Sequence, residues 1–200
     1  MINNELFKIL NVEKIPYAVI EGKHDIDSYK VENELFNPDI DIVLQTSSKQ
    51  IISVLKSKHT FDYLGDYSFR ENTTNTRIDL YFNSLNVGYY HFLKVHANSF
   101  VNQKLSEEEY IIYQILDPLL KFSKYYPRHQ CRLEKYFASG IPKEVKVKLK
   151  SALGKSLSDA LLSKISNKDF SISKIFIKRC KLRLLFINGN FVKMLKSRIF

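Results

Sequence analysis

The chain has 200 residues, 44% of them apolar, enough to bury a core in one domain or in a domain with a compact appendage. It contains no apolar run of about eighteen residues, so no segment reads as a membrane span, and Met1-Ile2-Asn3-Asn4-Glu5 lacks the basic-then-apolar pattern of a signal peptide. The net charge of +10 is uneven: residues 1–100 hold ten Lys/Arg against thirteen Asp/Glu, and residues 101–200 hold twenty-one against eight.

Asn3 to Leu10 reads as a short helix with Leu6, Ile9 and Leu10 on one side. Tyr17-Ala18-Val19-Ile20 reads as a buried strand stopping at Gly22, and residues 23–38 as a polar loop ending in Asn37-Pro38. Asp39-Ile40-Asp41-Ile42-Val43-Leu44 alternates and then becomes fully apolar. Ser47 or Ser48 caps a helix through Ile51, Ile52, Val54 and Leu55. Short strands are expected on either side of Gly65-Asp66, and another over Arg77-Ile78-Asp79-Leu80-Tyr81-Phe82. From Ser106 the apolar period becomes helical, with three acids in the first turn and Pro118 kinking or dividing the helix. Further helices are expected over Arg128–Ala138, after Pro142, and through Leu153, Leu157, Leu161 and Leu162. The stretch from Ile172 to Phe200 alternates basic and apolar groups around Asn188-Gly189. The plan is an α/β half followed by a helical, basic half, with the boundary near residue 104.

In a strand, residues i and i+2 face the same side. Asp39 and Asp41 therefore present both carboxylates together, with Ile40 and Ile42 packing behind them. Asp79 lies in a second apolar strand between Ile78 and Leu80. Asp-x-Asp by itself is common at solvated strand edges and turns; an Asp inside an apolar strand is less ordinary, because an unpaired carboxylate is costly there. Phosphoryl chemistry at a triphosphate needs a hard cation, and magnesium is held by a few carboxylates together with substrate phosphates. Asp25-Ile26-Asp27 is a second such pair, but Ser28-Tyr29-Lys30 follows where a strand would continue, so it reads as polar loop.

Taken in order, Tyr17 to Gly22, Asp39 to Leu44 and Arg77 to Phe82 resemble the nucleotidyltransferase superfamily related to DNA polymerase beta, over about residues 15–122. With Tyr125-Tyr126-Pro127-Arg128-His129 and Tyr136-Phe137-Ala138-Ser139-Gly140-Ile141-Pro142, the chain more narrowly resembles nucleotidyltransferase-like proteins found among bacterial surface-polysaccharide genes. Some of those are joined to a kinase-like domain, whose phosphate-binding motif these 200 residues lack. The resemblance implies an α+β fold: a nucleotidyltransferase-type mixed β-sheet with flanking helices over residues 1–104, then a helical basic region over 105–200. It implies Asp39, Asp41 and Asp79 as ligands of Mg2+ (or Mn2+), with Asp79 also able to act as base towards the attacking hydroxyl. Where the family has Gly-Gly or Gly-Ser meeting the triphosphate, this sequence has Gly22-Lys23, with Lys23 available as a point charge.

Lys121, Lys124 and Arg128, spaced by three and four at the end of the long helix, are candidate contacts to nucleotide phosphates, or a solvated basic face. Tyr125 and Tyr126 read as core and rim, and no histidine, His129 included, has an identifiable catalytic partner. Cys131 and Cys180, without Cys-x-x-Cys spacing, argue against a disulfide framework or a zinc site and for a reducing cytoplasm. The cationic C-terminal segment packs as last helices, contacts RNA, or lies on an anionic membrane at its inner face. The leading expectation is a metal-dependent enzyme moving a nucleotide monophosphate from a nucleoside triphosphate, ATP among them, to a hydroxyl or phosphate acceptor in a glycan-related context. A binding or scaffolding module that has lost turnover is the alternative, resting on Gly22-Lys23 and the long loop. A metal-dependent glycosyltransferase ranks last, because it gives Asp79 no job.

Overall fold

Alternating apolar residues in the first half, and a helical apolar period in the second, each find their element in a computed structural model that describes residues 5–21, 40–96, 98, 100 and 102–188. Gly22, Lys23, Asp25, Asp27 and Asp39 lie outside the described residues, as does the segment after Asn188. Among the described residues the fold is mixed α+β, with seven helices, a five-stranded mixed sheet and a two-stranded one. Two compact units are distinguished: Met1–Ser84 with Val95–Ser106, and Leu85–Lys94 with Glu107–Phe200.

In the first unit, helix α1 (Glu5–Val12) is followed by strand β1 (Tyr17–Glu21), strand β2 (Ile40–Leu44) and helix α2 (Ser48–Lys56). Strands β3 (Phe61–Gly65), β4 (Ser68–Glu71) and β5 (Thr76–Phe82) complete it. The sheet order is β1-β2-β5-β4-β3; β2 and β5 run parallel, and every other neighbouring pair is antiparallel. Ser47 accepts from the Gln50 N–H at 3.4 Å and caps α2. The β3–β4 hairpin turns through Asp66 and Tyr67, both at positive φ, which matches the twist of the flanking strands.

Burial follows the period of two. Ile40, Ile42 and Leu44 of β2, Ile78 and Leu80 of β5 and Phe69 of β4 form one core with Leu6 and Leu10 of α1 and Ile51 and Leu55 of α2. Asp41, Val43, Asp79 and Ser68 alternate with them and so belong to the opposite face. Glu71, also buried, ties β4 to α1. Its Oε1 accepts from the Glu5 backbone N–H at 3.1 Å and its Oε2 from Thr74 Oγ1 at 2.6 Å, placing a carboxylate where a helix N-terminus favours one.

The second unit has the hairpin β6 (Ser84–Val87) and β7 (Tyr90–Lys94), a stretch to which the sequence pattern assigned no element. It continues with α3 (Glu107–Lys121), α4 (Pro127–Tyr136), α5 (Lys143–Leu153), α6 (Lys155–Ser166) and α7 (Lys174–Ile187). Pro118 does not divide α3. Ile115, Leu116, Leu119 and Leu120 are buried on both sides of it, so packing holds the helix through the missing N–H. Leu153 ends α5 instead of starting the next helix, because Gly154, at φ 80°, breaks the chain there. Tyr125 is buried, with its hydroxyl donating to the Ile115 carbonyl at 2.7 Å, while Tyr126 is exposed. His129 Nδ1 accepts from the Tyr126 backbone N–H at 3.2 Å, and the His129 backbone N–H donates to the Tyr126 carbonyl at 2.9 Å, so the two residues tie off the start of α4 reciprocally. No helix among the described residues is long and apolar enough to cross a membrane.

Two measurements check this packing. Glu71→Ala leaves the Glu5 N–H and the Thr74 hydroxyl without their acceptor and should cost about 1–3 kcal/mol in urea unfolding. Both cysteines are free, but burial pushes the Cys180 thiol up to about 12, whereas Cys131 is exposed. At a pH of about 8 an aromatic disulfide reagent should therefore titrate one thiol in the native protein and two after denaturation.

Candidate metal centre

β2 and β5 are the two strands with apolar neighbours on both sides in sequence and in the sheet, and their parallel register decides what faces what. Ile40 lies beside Ile78, Asp41 beside Asp79 and Ile42 beside Leu80. The two aspartates are thus lateral neighbours on strands about 4.8 Å apart, on the face turned away from α1 and α2. Asp41 is only 7% exposed, so its carboxylate sits in a medium where charge is poorly screened.

The row extends in both directions. Ser68 of β4 is in register with Asp79, and Glu21 of β1 is in register with Asp41, so four strands align at one level of the sheet. The alignment of β1 depends on a bulge between Val19 and Glu21, and on the outer edge of β1 the Val19 N–H donates to the Gln103 carbonyl at 2.8 Å. Bulges of this kind change which residue meets a partner strand, and they concentrate beside functional sites.

Asp79 is held by two donors on one oxygen. Ser68 Oγ–H donates to Oδ1, and Arg77 Nε–H reaches the same atom at 3.0 Å. Arg77 Nη2 also reaches Ser68 Oγ at 3.3 Å, closing a small ring of contacts. Arg77 precedes Asp79 by two residues and so shares its face; at roughly half exposure it offsets part of the repulsion between the two carboxylates. Both of these contacts to Asp79 are made at Oδ1.

The chemistry of this donor set suits a hard divalent cation, since carboxylate oxygens are what magnesium and manganese take. Among the described residues no group of three His, Cys, Asp or Glu is poised to hold a metal, so Asp41 and Asp79 make a pair and not a complete cage. Asp39, the expected third ligand, and Gly22-Lys23, the expected triphosphate contact, lie outside the described residues.

Lys121, Lys124 and Arg128 belong to the second unit, and they do not share a helix face as their spacing suggested. α3 ends at Lys121, the chain turns through Ser123 at φ 59°, and Arg128 lies in the first turn of α4. All three are exposed. Lys124 Nζ lies 4.4 Å from the centre of the Tyr126 ring, Lys121 Nζ 5.5 Å from that of Phe122, and Arg128 Nε 3.3 Å from His129 Nε2. Sequence reasoning missed Ser68, Arg77 and the register of Glu21. Arg77 was legible from its i, i+2 spacing to Asp79; Ser68 and Glu21 needed the strand pairing. Comparison with protein-family models, with curated proteins and with solved structures finds no match.

Arg77→Gln removes the cation from a cluster that then holds two adjacent carboxylates and one hydroxyl. The variant should lose up to about 1 kcal/mol of stability, and the loss should shrink in high salt as the carboxylates are screened. Urea unfolding at two ionic strengths measures both effects.

Proposed function

We propose that this chain is a metal-dependent nucleotidyltransferase with a DNA polymerase beta-like fold, transferring a nucleotide monophosphate from a nucleoside triphosphate to a hydroxyl or phosphate acceptor. The observation that carries the reading is the lateral pairing of Asp41 with Asp79 on two parallel strands, with apolar residues filling the reverse face. Two carboxylates side by side on neighbouring strands suit a hard divalent cation, and a triphosphate substrate brings one. A magnesium or manganese ion bound there supplies charge neutralisation for the leaving pyrophosphate and acidifies the acceptor hydroxyl. Asp41 and Asp79 hold the ion, and Asp39 is the candidate for a third carboxylate. Ser68 and Arg77 hold Asp79 through its Oδ1. Gly22-Lys23 is the candidate phosphate contact within the same unit. The polysaccharide-gene resemblance points to a glycan-related acceptor.

A second reading keeps the fold and the nucleotide but drops turnover, leaving a binding or scaffolding module. Arg77 favours it, because a guanidinium on Asp79 Oδ1 competes with a cation for the same oxygen.

Pyrophosphate release from each nucleoside triphosphate, with magnesium or manganese and pooled sugar, phosphate and RNA acceptors, tests the proposal. Asp41→Asn and Asp79→Asn should each lower the rate at least about a hundredfold, as expected when an ion worth several kcal/mol is lost. Equal turnover by parent and variants sinks the assignment. Calorimetry distinguishes the second reading: nucleotide binding without any pyrophosphate release identifies the module, and no binding of metal or nucleotide removes both.

A further inference from the structure

The sheet face that carries Asp41 and Asp79 continues, one side-chain row along the strands, into a pair of arginines. β4 and β5 pair Ser68 with Asp79, then Phe69 with Ile78, then Arg70 with Arg77. Phe69 and Ile78 belong to the core, so the period of two puts Ser68, Arg70, Arg77 and Asp79 together on the opposite face. Both arginines are exposed. Asp62 of β3 is in register with Arg70, so one row reads Asp62, Arg70, Arg77 and the next Ser68, Asp79, Asp41. Two like-charged pairs of opposite sign thus lie beside one another, about 7 Å apart along the strands.

Like charges directly opposite one another on antiparallel strands oppose sheet formation, and neither arginine contributes to the core. We propose that Arg70 and Arg77 together receive a phosphate group of the substrate handled at Asp41 and Asp79, with Arg70 as the principal contact. A phosphate monoester or the end of a polyphosphate carries about two negative charges, which two guanidiniums match, and its oxygens suit their planar forks. Arg77 holds Asp79 Oδ1 through Nε at 3.0 Å, so its charge reaches the anion from a fixed position and joins the two rows. The identity of the ligand rests on the nucleotidyltransferase reading, in which the phosphate belongs to the triphosphate or to the acceptor; the arginine pair rests on the strand register alone.

Calorimetry on the full chain with EDTA present, at about 0.15 M salt, tests the pair without metal or turnover. The probes are ATP, glucose 1-phosphate as a sugar phosphate, and glucose. At least one phosphate-bearing probe should bind and glucose should not. Arg70→Gln should weaken that binding by at least about tenfold, and Arg70→Lys, which keeps the charge and loses the fork, should fall between the two. Lys49→Gln removes an equal charge from α2, which covers the other face, and should leave binding unchanged. Loss confined to ATP assigns the phosphate to the triphosphate, and loss confined to glucose 1-phosphate assigns it to the acceptor; either supports the pair. No binding of either phosphate probe by the parent, unchanged binding by Arg70→Gln, or an equal loss in Lys49→Gln overturns the inference. Weakened binding by Arg70→Gln in a chain that releases no pyrophosphate leaves the arginine pair standing and removes the reaction. Pyrophosphate release with binding indifferent to Arg70→Gln does the reverse.

Discussion

The parallel register of β2 against β5 is the constraint on which the candidate site rests. Each strand has one face committed to α1 and α2, through Ile40, Ile42 and Leu44 on one and Ile78 and Leu80 on the other. Because the side-chain period is two, a slip of one residue would bury Asp41 or Asp79 beneath the helices and expose the core residues. Several buried isoleucines and leucines, each worth about 1.5–3 kcal/mol, thus oppose any pairing except the one that sets the two aspartates side by side. The carboxylates contribute little to that choice and are carried into position by their apolar neighbours. The core therefore bears the cost of holding two like charges together, which is how a stable scaffold tolerates a locally unfavourable site.

The parts of this arrangement that were legible in the sequence are those where one local rule decides. Asp41 and Asp79 sit in strands because isoleucine and leucine alternate around them, and the structure has both strands within a residue of the expected bounds. The Ser47 cap follows from equally local chemistry, and the β3–β4 turn falls one residue beyond the expected Gly65-Asp66, at Asp66 and Tyr67. Non-local pairing was not legible. The Val19 N–H finds its acceptor at Gln103, far along the chain, and the Ser68–Asp79 contact depends on β4 lying beside β5. The hairpin β6–β7 escaped notice because Ser84-Leu85-Asn86-Val87 and Tyr90-His91-Phe92-Leu93-Lys94 are short and mixed in character, with one buried residue in each.

Two failures were of a different kind, because a sound local rule met a stronger tertiary term. Of the two outcomes expected at Pro118, a kink or a division, the division does not occur, because the side chains around it are buried so completely that ending α3 there would expose most of its apolar surface. The spacing of Lys121, Lys124 and Arg128 suits one helix face, but the apolar stripe ends at Leu120 and nothing remains to hold the helix further. The chain turns at Ser123, Pro127 starts α4, and the aromatic rings of Phe122 and Tyr126 pack against one another and against the His129 ring. The three cations become the exposed fringe of an aromatic corner and not a helical row.

The uneven charge of the sequence takes on physical meaning at α7. A cationic helix that had only to pack its unit would place lysines and arginines opposite its buried face. Instead, the position opposite Ile177, Cys180 and Leu184 is taken by Ile175, Leu182 and Phe186, and the cations are displaced to the flanks. With five Lys/Arg and no acid on α7, these flanking cations make the exposed side of the helix strongly positive, which is where the charge excess of the second half of the sequence becomes a surface feature.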